Sequence, residues 1–266
     1  MDDLIKGINE VFPDQIEGVY LTGSIPLQDF YARKSDIDFI VICQSLPVGK
    51  LLSQFQRVQN PIQKRLKQPK LSGFYITKEC LHLGVGKKLL VPGVHEGKVR
   101  SALWGDGLTA ITLKELKTTA FTFSGAPAQS LPIETADEEV DRILFENINS
   151  YWRKWINRHT YLPHRYSLLV LFPWFSEWSI LGVARQLYTL QTGKITSKLL
   201  AGYYALDYLP SKYHKIDQQA IQIRKECKLF QFAASVERAT KTIECVNHII
   251  DCFNIEYQHK YSINCQ

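Results

Sequence analysis

The sequence has no pair of cysteines at the spacing of a zinc or dithiol site. Its six cysteines are scattered, and no C-x-x-C motif occurs. They are Cys43, Cys80, Cys227, Cys245, Cys252 and Cys265. Structural zinc sites use closely spaced cysteine pairs, and disulfide frameworks belong to oxidising compartments. The cysteines therefore predict reduced thiols in the cytoplasm.

Long hydrophobic runs are missing as well. No apolar stretch reaches the roughly 18 residues that a membrane-spanning helix needs. The first ten residues, MDDLIKGINE, are acidic and amphipathic. A secretory signal would instead be basic and then apolar. We therefore expect a cytoplasmic protein that has neither a membrane span nor a signal peptide.

Positive charge is not concentrated anywhere, although the chain is net basic. The 266 residues include 32 Lys and Arg against 26 Asp and Glu, which gives a formal net charge of +6. These basic residues do not form runs interleaved with aromatic residues, which argues against nucleic acid as a partner. The apolar content of 45% allows one large domain or two modest ones, each with its own core.

The most informative segment is GVYLTGSIPLQDFYARKSDIDFIVIC, in which two apolar strands flank a Gly-Ser turn and a D-x-D motif. Residues two apart in a strand share a face, so Asp36 and Asp38 lie side by side. Two adjacent carboxylates repel each other unless a divalent cation binds them, and hard oxygen ligands suit Mg²⁺. Gly23 would let the backbone approach a phosphate, and Ser24 would add a hydroxyl donor.

Alternating acids also occur on solvent-exposed strands that bind no metal. This strand, however, is otherwise apolar from Ile37 to Cys43, as in a strand buried on both faces. Acids at the start of such a strand are costly unless they bind something. The segment therefore predicts a magnesium site.

The C-terminal half contributes a second set of candidates, Arg185, Lys198 and Arg224. A buried arginine in an apolar helix needs an anionic partner. A lysine at a helix start opposes the helix dipole, unless both the lysine and the helix end face a phosphate. Two alternatives stay open: Arg185 pairs with an acid of its own domain such as Glu177, or Arg224 is a surface charge.

The two motifs together resemble the polymerase-β-type nucleotidyltransferase superfamily. Within it, the chain is similar to the two-domain adenylyltransferases that modify streptomycin and spectinomycin. The matching segments are LTGS at 21–24, SDID at 35–38, an arginine at 185, YTLQTGKITSK at 188–198 and ALDYLPSKY at 205–213. The resemblance covers about residues 10 to 255.

The resemblance implies an α+β fold. A nucleotidyltransferase mixed-sheet domain would span residues 1–132, and an all-α helical bundle would span 133–266. It also implies transfer of AMP from ATP to a hydroxyl of a small molecule, with aminoglycoside antibiotics as candidate acceptors and antibiotic resistance as the role.

The family's site residues carry over to matching positions. Asp36 and Asp38 would be catalytic and bind Mg²⁺, while Gly23 and Ser24 would bind the triphosphate of ATP. Three cations of the helical domain, Arg185, Lys198 and Arg224, would contact the same nucleotide. Nucleotide and acceptor would then share an interdomain cleft.

One departure concerns the general base. The family carries a glutamate on its third strand, and Gly73 is assigned here to that position. Glu96 is the candidate substitute and His95 the second choice. The missing carboxylate keeps two alternatives open: a nucleotide-binding pseudoenzyme or sensor, and an adenylyltransferase that acts on a protein. The net basic charge also fits a polycationic drug poorly.

The remaining periodicity predicts the other elements. Residues 71–76 and 110–113 are predicted as strands, the second of which enters a short helix at 114–116, and residues 198–208 are predicted as a helix that Pro210 ends. Residues 84–107 are rich in glycine and read as a long loop, and the last helix ends at Phe253 with a frayed tail after Glu256.

Overall fold

The computed structural model describes residues 1–82, 89–102, 108–160, 167–226 and 235–262. The chain divides into two compact units, Met1–Glu139 and Val140–Gln266. The domain boundary predicted after residue 132 stays a prediction. Cys227, Cys265 and part of the glycine-rich segment 84–107 lie outside the described residues.

The N-terminal unit is built on a six-stranded mixed sheet. The strands are β1 (Ile16–Thr22), β2 (Ile37–Cys43), β3 (Leu71–Ile76), β4 (Gly93–His95), β5 (Lys98–Arg100) and β6 (Phe121–Ser124). Their order is β5-β4-β3-β2-β1-β6. Strands β2 and β3 are parallel, and all other neighbours are antiparallel.

Helices cover both faces of this sheet. They are α1 (Asp2–Val11), α2 (Lys50–Leu66) and α3 (Ala110–Thr119), with short 3₁₀ turns at Lys78–His82 and Ala128–Ser130. Phe39 and Val41 of β2 pack in one core with residues of α1 and α2. Ile40 and Ile42 pack in the other core with residues of α3. Because side chains alternate along a strand, Asp38 belongs to the α3 face of the sheet.

Helix α3 corrects the strand that the sequence predicted at residues 110–113. Thr109 caps the helix, and its side chain accepts a hydrogen bond from the backbone N–H of Thr112. Leu113 and Leu116 are buried against the sheet. The cap and this packing override the β-branched residues at 111 and 112, which favour a strand.

The C-terminal unit is helical. It contains most of α4 (Asp137–Asn147), a π-helical turn (Ile148–Trp152), α5 (Arg153–Thr160), a 3₁₀ turn (Ser167–Leu171), α6 (Pro173–Thr192), α7 (Lys198–Tyr208), α8 (Ser211–Lys225) and α9 (Val236–Ser262). Helix α6 is buried along most of its length and contacts α7, α8 and α9. A mixed sheet followed by a helical region confirms the predicted α+β fold.

Helix α9 is longer than predicted, since it continues nine residues past Phe253 to Ser262. The buried carboxylate of Asp141 lies 2.6 Å from Lys260 Nζ and accepts a hydrogen bond of 2.7 Å from Tyr261 OH. These contacts hold the last turn in place, so the polar tail is not frayed there. No helix in the described residues is long and apolar enough to cross a membrane.

Candidate nucleotide and metal site

The two aspartates lie at the start of β2, next to the end of β1. Asp36 immediately precedes β2, and Asp38 pairs with Thr22 at the end of β1. Gly23 follows with a φ of 67°, and a methyl group in place of its hydrogen would lie 2.2 Å from Asp38 Oδ2. Only glycine therefore allows both this backbone conformation and this approach of the carboxylate.

Ser24 has a buried hydroxyl with no hydrogen-bond partner among the described residues. Buried polar atoms in native proteins are nearly always paired, so an orphan of this kind needs an explanation. A phosphate oxygen would be a suitable acceptor for this hydroxyl. The residues of the turn therefore fit the triphosphate that the sequence predicted there.

Asp36 is partly withdrawn from solvent. Its Oδ2 accepts a hydrogen bond of 3.1 Å from Ser72 Oγ. Burial raises the pKa of Asp36, the hydrogen bond from Ser72 opposes that rise, and the nearby charge of Glu96 adds to it. The positive charges of His95 and Lys70 act in the opposite direction. A bound cation would stabilise the ionised form of such a carboxylate.

Glu96 lies in a tight turn between β4 and β5. Glu96 and Gly97 have φ values of 48° and 77°, as a two-residue type I′ hairpin turn requires. The backbone N–H of Glu96 donates to Ser72 Oγ at 3.3 Å. Ser72 thereby links Glu96 to Asp36, while the Glu96 side chain stays exposed. The structure brings the predicted base close to the aspartates, and its role stays a prediction.

The register of the sheet corrects the interpretation of Gly73. Ser72 pairs with Asp38, whereas Gly73 pairs with Phe39. A methyl group on Gly73 would lie 2.2 Å from the Phe39 carbonyl oxygen, on the face opposite the aspartates. The position that faces the aspartates is therefore Ser72, and it carries a hydroxyl instead of a carboxylate.

Candidate metal ligands at this site are the two carboxylates of Asp36 and Asp38. Within the described residues, no group of three or more His, Cys, Asp or Glu side chains could hold a metal ion. Mg²⁺ usually binds through one or two carboxylates and completes its shell with substrate phosphates and water. The aspartate pair is of this type and therefore fits Mg²⁺.

The helical unit gathers cations around one buried acid. Glu177 on α6 places Oε1 3.3 Å from Arg224 NH1 and 3.6 Å from Lys198 Nζ. The side chains of Arg224 and Glu177 are only 4% and 8% exposed. Arg224 is therefore not a surface charge. Glu177 is therefore shared by two cations of the helical unit, Arg224 and Lys198.

Lys198 starts α7 and lies within this cation cluster. Burial lowers the pKa of Lys198, and Arg185 and Arg224 lower it further, whereas Glu177 raises it. Just before it, Thr196 has a buried hydroxyl with no partner among the described residues. A helix N-terminus, a lysine and an orphan hydroxyl together suit a phosphate.

Arg185 departs from the prediction that it is buried in an apolar helix. Its side chain is exposed on α6, so the argument that it needs a buried partner is wrong. It lies close enough to Lys198 to lower the pKa of that amine. The acid Glu177 instead contacts Lys198 and Arg224. Sequence reasoning considered Glu177 only as a partner of Arg185. Glu177 is the single acidic residue of α6, and this is the signal that could have identified it as a site residue.

Comparison with known proteins finds a family model that matches part of the helical unit. Residues 174–250 match the family model of the aminoglycoside adenylyltransferase C-terminal domain. This range contains all three predicted cations, Arg185, Lys198 and Arg224, together with Glu177. The resemblance to aminoglycoside adenylyltransferases predicted from the motifs is therefore confirmed.

A solved structure is similar over nearly the whole chain. It is the crystal structure of spectinomycin adenyltransferase AAD(9) from Enterococcus faecialis with ATP and spectinomycin. The TM-score is 0.63 at 15% sequence identity, and the alignment covers 94% of this chain and 97% of that one. At this identity the likeness shows a shared fold. A search of curated protein sequences found no match.

Proposed function

We propose that this chain is a Mg²⁺-dependent adenylyltransferase. It would transfer AMP from ATP to a hydroxyl of a small molecule, with aminoglycoside-type antibiotics as the first acceptor class to test. The observation that carries the proposal is the Gly23–Ser24 turn against Asp38, with an orphan hydroxyl on Ser24. The match of residues 174–250 to the aminoglycoside adenylyltransferase C-terminal domain supports it.

Each unit would contribute its own phosphate contacts. In the N-terminal unit, Ser24 Oγ would donate a hydrogen bond to a phosphate oxygen, and Asp36 and Asp38 would hold Mg²⁺. When bound, the ion supplies positive charge that offsets the charge of the substrate phosphates. In the helical unit, Lys198 at the start of α7 and Arg224 would offer charged donors to a phosphate.

Glu96 would act as the general base. The acceptor hydroxyl attacks the α-phosphorus of ATP, the bond to the β-phosphate oxygen breaks, and pyrophosphate leaves. The hydroxyl proton passes to the carboxylate of Glu96. The carboxylate of Glu96 is exposed, and the backbone N–H of Glu96 is linked to Asp36 through Ser72; both observations support this role. A positioned base contributes about 10²–10⁴-fold to the rate.

The test replaces both aspartates by asparagine. Asp36→Asn with Asp38→Asn should abolish pyrophosphate release from ATP with a panel of aminoglycosides and spectinomycin, because the carboxylates that hold the ion are gone. Asp14→Asn, an exposed acid of the same unit, is the matched control and should keep full activity. Pyrophosphate release by the double variant at the wild-type rate would show that the mechanism is wrong.

A nucleotide-binding protein without transferase activity is the second candidate. Ser72 at the position facing the aspartates favours it, because the third-strand carboxylate is absent. This candidate predicts that ATP binds, that no acceptor of the panel supports pyrophosphate release, and that Ser72→Glu restores no turnover. Release with any acceptor would instead support the transferase.

A further inference from the structure

The backbone amide of Gly23 already has an anionic partner. Its N–H donates to Glu115 Oε1 at 2.8 Å, across 92 residues of sequence. Glu115 comes from α3, the helix that packs on the same face of the sheet as Asp38. In the Gly23–Ser24 turn, the Gly23 N–H is therefore already bonded to an internal carboxylate. The other donor, Ser24 Oγ, has no partner among the described residues.

Two carboxylates meet at this one glycine. Asp38 Oδ2 lies beside the α-carbon of Gly23, and Glu115 Oε1 accepts a hydrogen bond from the Gly23 N–H. Standard backbone dimensions place these two oxygens no more than roughly 7–8 Å apart. A nucleotide triphosphate that approaches the turn therefore meets negative charge on both sides. Mg²⁺ at the aspartates would offset the charge of Asp38, whereas the Glu115 carboxylate lies at the Gly23 N–H.

We propose that Glu115 is a built-in competitor of the triphosphate at the Gly23 amide and so sets the affinity for the nucleotide. The inference rests on the proposed function, since it assumes that the Gly23–Ser24 turn binds phosphate. An N–H can serve one strong acceptor, so a phosphate oxygen must displace the carboxylate to reach the amide. The carboxylate also repels the triphosphate by charge alone.

The test compares two variants of the full chain. Glu115→Gln keeps the size of the side chain and an oxygen for the Gly23 N–H, but removes the charge. Glu115→Ala removes both and leaves the amide open. Binding of ATP, inorganic tripolyphosphate and adenosine is measured by calorimetry, with Mg²⁺ and with a chelator. Glu79→Gln, an exposed acid of the same unit, is the control for the loss of one negative charge.

Both variants should bind ATP and tripolyphosphate more tightly than wild type. The expected gain is roughly 5- to 150-fold, the usual range for two coupled binding events. Adenosine carries no phosphate, so its affinity should not change, and Glu79→Gln should bind like wild type. A role in merely supporting the turn would instead weaken ATP binding in Glu115→Ala and leave it unchanged in Glu115→Gln.

The outcomes separate the two proposals. If wild type binds ATP and neither variant binds it more tightly, the competitor role of Glu115 is overturned while the nucleotide site stands. If wild type and both variants are folded by circular dichroism and none binds ATP or tripolyphosphate, the proposed function fails, and the inference fails with it. Tighter binding by Glu115→Gln alone still supports the inference, because that variant isolates the charge.

Discussion

Asp217 should make the helical unit less stable as the pH rises. This residue of α8 is fully buried, and neither carboxylate oxygen has a hydrogen-bond partner among the described residues. Burial raises the pKa of Asp217 from 3.8 to about 7. Between these two values the unfolded chain releases the proton while the folded chain keeps it. Stability therefore falls from pH 4 to pH 7 and stays low above that.

The size of the effect follows from the difference in pKa. About 3 pH units correspond to about 4 kcal/mol of lost stability once both states have ionised. Asp217→Asn cannot ionise, although its buried amide carries a constant cost of its own. The informative quantity is therefore how the difference between variant and wild type changes with pH. Between pH 5 and pH 8 it should shift by about 2–3 kcal/mol in favour of the variant.

Urea unfolding followed by tryptophan fluorescence measures this shift. Four of the five tryptophans, at 152, 155, 174 and 178, lie in the helical unit, so the signal reports mainly on that unit. Asp207→Asn, an exposed aspartate on α7, is the control and should show no such pH dependence. An equal difference between Asp217→Asn and wild type at pH 5 and pH 8 would refute the reasoning, because the buried carboxyl would then not titrate in this range.

Two further substitutions test the sites themselves. Glu177→Ala removes the buried carboxylate that lies 3.3 Å from Arg224, so it should lower the free energy of unfolding by about 3–5 kcal/mol in urea. The control Glu244→Ala, at an exposed position, should change the free energy of unfolding by less than about 1 kcal/mol. Equal losses in the two variants would show that Glu177 does not stabilise the cation cluster. Gly23→Ala should destabilise the N-terminal unit by about 1–3 kcal/mol, since φ is 67° and the added methyl would overlap Asp38. If Gly23→Ala unfolds at the same temperature as wild type, the turn accommodates the methyl group without strain and the prediction is wrong.

The hairpin that carries the aspartates could be predicted because its signals are local. Apolar runs mark β1 and β2, and glycine marks the turn between them. Strand β3 was predicted at residues 71–76 and helix α7 at 198–208, and the structure places both at these bounds. Ser197 caps α7 by accepting a hydrogen bond from the N–H of Leu200, and Pro210 follows its end. In each case the deciding contacts lie within a few residues of the element.

The errors arose where distant contacts decide the structure. Helix α3 forms at residues with a preference for strands, because its cap and its packing on the sheet outweigh that preference. The end of α9 is held by Asp141, which is 120 residues from Tyr261. The exposure of Arg185 depends on which side of α6 meets α7, α8 and α9. Sequence periodicity contains none of this information.

The assignment of Gly73 failed for a different reason. A shift of one residue in a strand moves a side chain to the other face of the sheet. Motif comparison placed the missing glutamate at Gly73, and only the pairing of β2 with β3 shows that Ser72 is the residue that faces the aspartates. Whether the glutamate position is assigned to Gly73 or to Ser72, this chain has no carboxylate there. The structure adds that its place is taken by a hydroxyl that binds both Asp36 and the backbone of Glu96.

The two orphan hydroxyls give the ligand hypothesis a basis that does not depend on family resemblance. Ser24 belongs to the first motif and Thr196 to the second, and both Oγ atoms are buried with no partner among the described residues. Leaving such a group unpaired costs about 1–3 kcal/mol. A sequence selected only for stability would replace these residues at little loss, because an alanine at either position leaves no hydroxyl to satisfy. Their presence beside Asp38 and Lys198 is explained if a phosphate oxygen accepts from each hydroxyl in the working protein.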